Sequence, residues 1–179
     1  PHSRPSISPL DIGAVSRVIE SGMLTSGCET GAFERDLASY IGLPHAAAVS
    51  SGTAGIYLAL RALGVGPQDE VVIPAYVCSA LWHAVRMAGA VPVLADVGGD
   101  GIHPDCDTIR AVLTPNTKAV VVAHLFGGVC DIGDIVAAGV PVIEDCAMAL
   151  GAEYGRRKAG ALGSAASVFS FYATKVIAS

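Results

Sequence analysis

The sequence predicts an α/β fold, a three-layer α/β/α arrangement around a mostly parallel sheet. Runs such as EVVIPA (70–75), VPVLADV (91–97), KAVVVAHLFG (118–127) and PVIEDCA (141–147) are almost continuously apolar. A strand with one wet face would alternate, so these read as strands buried on both faces, as parallel strands are. Segments of helical periodicity lie between them, as crossover connections require. The 21 glycines and 10 prolines in 179 residues suit the many tight connections of such a fold.

Each element follows in order. IGAVSRVIES (12–21) and GAFERDLASYIG (31–42) carry helical periodicity, and the turn-rich SGMLTSG (21–27) separates them. AAAVS (46–50) reads as a short apolar strand. SSGTAGIYLALRALG (50–64) opens with Ser and Thr, which can cap, and continues as an apolar helix. EVVIPA is a strand, SALWHAVRMAG (79–89) a helix ended by Gly89, and VPVLADV a strand. HPDCDTIRAVLT (103–114) is a loop and helix, KAVVVAHLFG a strand, DIGDIVAAG (131–139) a short helix and PVIEDCA a strand. EYGRRKAGALG (153–163) reads as a polar turn between short strands, and ASVFSFYA (166–173) as the last strand.

Composition narrows the function. Hydrophobic residues make up 52% and charged residues 15%, enough apolar material for a large core. The net charge of −5 and the absence of a basic run argue against nucleic acid as a partner. No uncharged apolar run reaches the roughly 18 residues of a membrane span, and the start, PHSRPSISPL, lacks a signal peptide's pattern. Five scattered cysteines without a CxxC pair suggest buried thiols in a reducing cytoplasm, with neither a disulfide frame nor a metal site.

Ligands of open α/β sheets bind beyond the carboxyl ends of the strands. The polar residues there are Ser50 to Thr53, Tyr76 to Ser79, Asp96, His124, Asp145 and Tyr172 to Lys175. Gly52 allows close backbone approach, and Thr53 at a helix start can serve an anion or simply cap. Asp145 must be solvated, paired or working, because burying a bare carboxylate is costly; a backbone amide or Arg86, Arg156 or Arg157 could pair it. Glu144 alternates with it and points to the other face. Lys175 alone could simply turn back into solvent. Together these residues form an ordered set: a phosphate-cradling helix start, an Asp some 30 residues before a Lys, and Ser170 five residues before that Lys. Pyridoxal 5′-phosphate needs amides and hydroxyls for its phosphate, a carboxylate for its ring nitrogen and a lysine for its aldehyde.

With these residues in order, the sequence resembles the DegT/DnrJ/EryC1/StrS aminotransferases, pyridoxal phosphate enzymes that aminate nucleotide-linked keto sugars. The resemblance rests on SGMLTSG, SSGTAGIYLALRALGVGPQDEVVIPAY, GAVPVLADV, LTPNTKAVVVAHLFG, PVIEDCAMALGAEYGRRKAGALG and FSFYATK, which occur in the family's order. It implies the fold type I of pyridoxal phosphate-dependent transferases, an amino-acid donor, usually glutamate, a keto-sugar acceptor and a homodimer or higher oligomer. It divides the chain into N-terminal helices with a substrate-side loop (1–45) and the cofactor-binding large domain (46–179).

The resemblance implies that Lys175 is the Schiff-base lysine and Asp145 holds the ring nitrogen. Gly52, Thr53 and Ser170 bind the phosphate. Thr25 lies near the substrate, and His124 close to the cofactor. A sister branch carries His in place of the lysine and dehydrates its substrate, so Lys175 favours amino transfer. Two positions depart from the family pattern. Cys78 stands where an aromatic residue commonly stacks on the cofactor, leaving that task to Tyr76 or Trp82. Met148 stands where Gln commonly reaches the cofactor's phenolic oxygen, and Met cannot donate such a bond. The family also continues well beyond the lysine. The expectation is therefore a large domain truncated after Lys175, without its C-terminal domain and with an exposed apolar face that favours association. A catalytically inactive binding or regulatory module on the same fold is the alternative.

Overall fold

A computed structural model describes residues 5–99 and 101–177. The outer ends of the two predicted segments, residues 1–4 and 178–179, lie outside the described residues.

The chain opens with two helices, α1 (Pro9–Ser21) and α2 (Cys28–Ile41). Ser8 and Asp11 form a reciprocal capping box at the start of α1, with Pro9 in the first helical turn where its missing N–H costs nothing. There follow α3 (Gly52–Ala62), β1 (Glu70–Pro74), α4 (Ala80–Met87), β2 (Val91–Ala95), α5 (Cys106–Arg110), β3 (Thr117–Ala123), α6 (Gly133–Ala137) and β4 (Val142–Asp145). A small antiparallel hairpin, β5 (Glu153–Tyr154) and β6 (Arg157–Lys158), precedes β7 (Ala166–Val168).

The five long-range strands form one parallel sheet in the order β2-β1-β3-β4-β7. Alternate residues of each strand feed two separate cores. Val71, Ile73, Val121 and Ile143 pack with Ile56 and Leu60 of α3 and Leu81 and Val85 of α4. Val72, Val120, Val122 and Val142 pack on the other face with Ile109, Ile132 and Ile135. The continuous apolar runs thus have the predicted cause: both faces of the central strands are covered.

Two predicted strands are corrected. Residues 46–50 join no sheet; the Ala48 amide donates instead to Glu34 Oε1 of α2, at 2.7 Å. The ladder of β7 ends at Val168, far short of Ala173. Its neighbour β4 ends at Asp145, the register partner of Val168, so the chain from Phe169 onward has no strand to pair with.

α1 buries none of its residues, and Leu10, Ile12, Val15 and Ile19 along it are exposed, as are Met23 and Leu24 just after it. No helix among the described residues is long and apolar enough to cross a membrane.

Candidate active site

The carboxyl ends of β3 and β4, the start of α3 and the chain after β7 enclose a cavity of about 910 Å³. Gly52, Thr53, Asp145, Ser170 and Lys175 all line it, although up to 123 residues separate them in sequence (52 to 175). His124, Cys78 and Met148 line it too. Thr25 is exposed and does not reach the cavity wall, and neither does Tyr76, which is 54% exposed. Trp82, the other candidate for stacking, is also exposed and off the wall.

Local chemistry explains the positions. Ser51 caps α3, its Oγ accepting from the Ala54 amide at 3.1 Å. That leaves the Gly52 and Thr53 amides among the first N–H groups of the helix, which have no intrahelical acceptor and carry the positive end of its dipole. Gly52 faces Ser170: a Cβ on the glycine would stand 3.6 Å from the Ser170 Cβ and 3.9 Å from its Oγ. The helix start and the serine hydroxyl therefore flank one spot, suited to an anion.

Asp145 is half-buried, and the one hydrogen bond to its carboxylate among the described residues comes from the Ala147 amide to Oδ1, at 3.0 Å. Among the described residues no arginine pairs with it. Burial pushes its carboxyl up from the usual range, while the Ala147 amide and the charge of Lys175 hold it down. Lys175 follows a tight turn closed by its own amide on the Tyr172 carbonyl, at 2.8 Å. Phe171, just before that turn, meets Phe33 of α2 edge-on, with ring centroids 4.9 Å apart, and both rings line the cavity.

Sequence reasoning missed Phe33 and the role of Glu144. The FE pair in GAFERDLASYIG reads only as one apolar and one charged helix position. Glu144 is fully buried on the opposite face of β4 from Asp145. Its Oε2 accepts from His124 Nε2 at 2.9 Å and from the Gly160 amide at 2.7 Å. Its Oε1 accepts from the Leu162 amide at 3.2 Å and Ser164 Oγ at 2.6 Å. Burial pushes the Glu144 carboxyl up, but the hydrogen bonds from His124, Ser164 and Gly160 outweigh it and leave the group below its ordinary value. The signal available in the sequence was an acid inside a buried strand, which must find partners. Cys146 also lies near this pair, with ligand atoms of His124, Glu144 and Cys146 within 4.8 Å of one another, but the Glu144 oxygens already accept four hydrogen bonds.

The model of the DegT/DnrJ/EryC1/StrS aminotransferase family matches residues 5–179. The chain belongs to this family. As a family member it is 40% identical over 182 residues to the spore coat polysaccharide biosynthesis protein SpsC of Bacillus subtilis (strain 168), covering 99% of this chain and 46% of SpsC. The aminotransferase of Psychrobacter cryohalolentis superposes with a TM-score of 0.91 at 35% identity, over 98% of this chain and 46% of that one. Spr1654 of Streptococcus pneumoniae, named provisionally as a sugar aminotransferase, superposes in its PLP form with a TM-score of 0.93 at 31% identity, over 99% of this chain and 50% of that one. The chain therefore spans about half the length of the relatives it matches. The fold is that of these aminotransferases.

The residues present fit pyridoxal phosphate. The cavity presents an anion cradle at Gly52, Thr53 and Ser170 and a primary amine at Lys175. Asp145 contributes a carboxylate with spare hydrogen-bonding capacity, since only one described donor reaches it.

Proposed function

We propose that this chain supplies the cofactor-binding part of a pyridoxal 5′-phosphate-dependent aminotransferase that moves an amino group from an amino acid, glutamate, to a nucleotide-linked keto sugar. The observation that carries the reading is the single cavity into which Gly52, Thr53, Asp145, Ser170 and Lys175 all converge. The names of two relatives, one for polysaccharide biosynthesis and one for sugar amination, favour a sugar acceptor.

When bound, pyridoxal phosphate supplies an electron sink for charge developing at the α-carbon of an amino substrate. The amides of Gly52 and Thr53, with the Thr53 and Ser170 hydroxyls, would hold the phosphate at the positive end of α3. Asp145, as an anion, would pair with the ring nitrogen and keep a proton on it. Lys175 would hold the aldehyde end through Nζ, and the same amine could carry a proton to and from the substrate α-carbon. Cys78 and Met148 line the wall with sulfur and would offer the ring polarisable contacts. His124 stands against the same wall. Thr25 reaches the substrate only in an assembly that brings the loop before α2 over a cavity, such as a homodimer.

The test mixes the full chain with pyridoxal phosphate, removes the excess and records the visible spectrum beside Lys175→Ala. A band of lysine-bound cofactor in the wild type, absent from the variant, supports the reading. No band in either protein overturns it for this chain and favours a cofactor-free binding module. Amino transfer from glutamate to nucleotide-linked keto sugars is then assayed directly.

A further inference from the structure

α2 closes one side of the cavity with one of its faces. Thr30, Phe33, Leu37 and Ile41 line the cavity, three or four residues apart, as neighbours on a helix surface are. The helix is thinly attached. It buries only Ala38 and Ile41, and its N-cap, Gly27, makes no side-chain hydrogen bond. Yet Phe33 meets Phe171 edge-on, with centroids 4.9 Å apart, and the turn that ends at Lys175 follows Phe171 directly.

The carboxyl end of α2 is held from outside. The Tyr40 carbonyl lies in the last turn, where a helix supplies no donor of its own, and that turn contains no basic residue. Lys158 of β6 supplies both donor and charge. Its ammonium donates to the Tyr40 carbonyl and stands over the Tyr40 ring, 3.5 Å from the centroid. The Tyr40 hydroxyl lies against Gly151, where a Cβ would stand 3.1 Å from it.

Lys158 is in turn fixed to the sheet. The Ala159 amide donates to the Ala152 carbonyl at 2.9 Å, and the Gly160 amide to Glu144 Oε2 of β4 at 2.7 Å. On the other strand of the hairpin the Tyr154 hydroxyl donates to Asp131 Oδ2 at 2.8 Å. The hairpin therefore moves with the sheet, and through Lys158 so does the end of α2. From Tyr40 to Phe33 the helix is a stiff rod about 10 Å long. Neither Tyr40 nor Lys158 lines the cavity, so any effect of theirs on its contents passes through α2.

We infer that Lys158 is a positioning residue of this site: by gripping Tyr40 it seats α2 on the sheet and sets Phe33 against the segment that leads to Lys175. The inference rests on the function proposed above and adds to it a residue outside the cavity that governs how well the cavity holds the cofactor.

The experiment titrates the full chain and its variants with pyridoxal phosphate. The Lys175-dependent visible band gives Kd, and urea denaturation gives stability. Lys158→Met keeps the length of the side chain without its charge, and is expected to raise Kd about fivefold. Lys158→Arg, whose guanidinium can serve the same carbonyl and stack on the same ring, retains most of the wild-type affinity. Lys118→Met, at an exposed lysine near the start of β3, leaves Kd unchanged. Phe33→Leu weakens binding, and adding Lys158→Met to it costs no further affinity, because both act through one contact.

Wild-type affinity in a folded Lys158→Met chain overturns the inference, even if stability falls. Additive losses in the double variant overturn it too, since the two residues then act separately. So does a Lys158→Arg chain that binds as weakly as Lys158→Met. If Lys158→Met does not fold, Tyr40→Leu decides, because it removes the ring and leaves the carbonyl: weaker binding supports the inference and wild-type binding overturns it. A band of equal affinity in every variant removes this inference and leaves the proposed function standing. No band in the wild type removes the proposed function and this inference with it.

Discussion

Val168 leaves no room for a side chain at Gly55: a Cβ there would stand 2.9 Å from Val168 Cγ1 and 3.5 Å from Cγ2. This contact presses the first turn of α3 onto β7, and it is what sets Gly52 beside Ser170, two residues beyond Val168.

Gly55→Ala is therefore expected to destabilise the chain. Val168 is β-branched and stiff at χ1, so it cannot swing aside, and the helix start must shift. The cost is about 1–3 kcal/mol, read by urea denaturation. A helix interior otherwise favours Ala over Gly, so an increase in stability would show that the contact is not tight.

Asp145→Asn separates stability from binding. Burial raises the Asp145 carboxyl in the folded chain above its value of 3.8 in the unfolded one. The folded state thus holds a proton that the unfolded state has released, and stability is lost as pH rises from 3.8 through the raised folded value. Above that window the ionised carboxylate is a net burden. The cofactor-free Asn variant should melt at or above the wild-type temperature at neutral pH while binding pyridoxal phosphate more weakly. A lower melting temperature with binding intact would contradict both halves.

Glu144 should behave with the opposite sign. Its folded value lies below the 4.5 of the unfolded chain, so its stabilising contribution is present above 4.5 and disappears as pH falls through the depressed value. Glu144→Gln is expected to lose about 1–3 kcal/mol at neutral pH, because buried donors lose their acceptor. It should also show a flatter stability profile below pH 4.5 than the wild type, measured by denaturant titration at several pH values.

Phe33→Ala tests the aromatic wall. Loss of the edge-on contact with Phe171 should cost about 0.5–1.5 kcal/mol beyond the lost burial. Phe171 immediately precedes the turn that leads to Lys175, so the variant should also bind pyridoxal phosphate more weakly than the wild type. Stability and cofactor affinity both equal to the wild type would exclude Phe33 from the site.

Much of the fold was legible in the sequence because parallel strands buried on two faces leave a continuous apolar run, and crossover helices leave a helical period. The misread segments were those whose partners are remote. AAAVS has a strand's composition, yet Glu34 of α2 takes the Ala48 amide. ASVFSFYA stops pairing at Val168 because β4 offers nothing beyond Asp145. In the site, Gly52, Thr53, Asp145, Ser170 and Lys175 could be named from order and spacing, and they do share a cavity. Tyr76 could not be judged that way: it stands two residues from Cys78, which lines the wall, but is itself turned outward.

By itself the sequence determined the layer architecture, the family and the set of groups that can hold a phosphate, a ring nitrogen and an aldehyde. These depend on residue type and local period, which one dimension records. Only the tertiary structure decided that His124 is engaged through both ring nitrogens, that Glu144 holds it, and that Phe33 walls the lysine turn. Those outcomes depend on which donor meets which acceptor across segments far apart in the chain, and hydrogen-bond geometry exists only after the chain has folded.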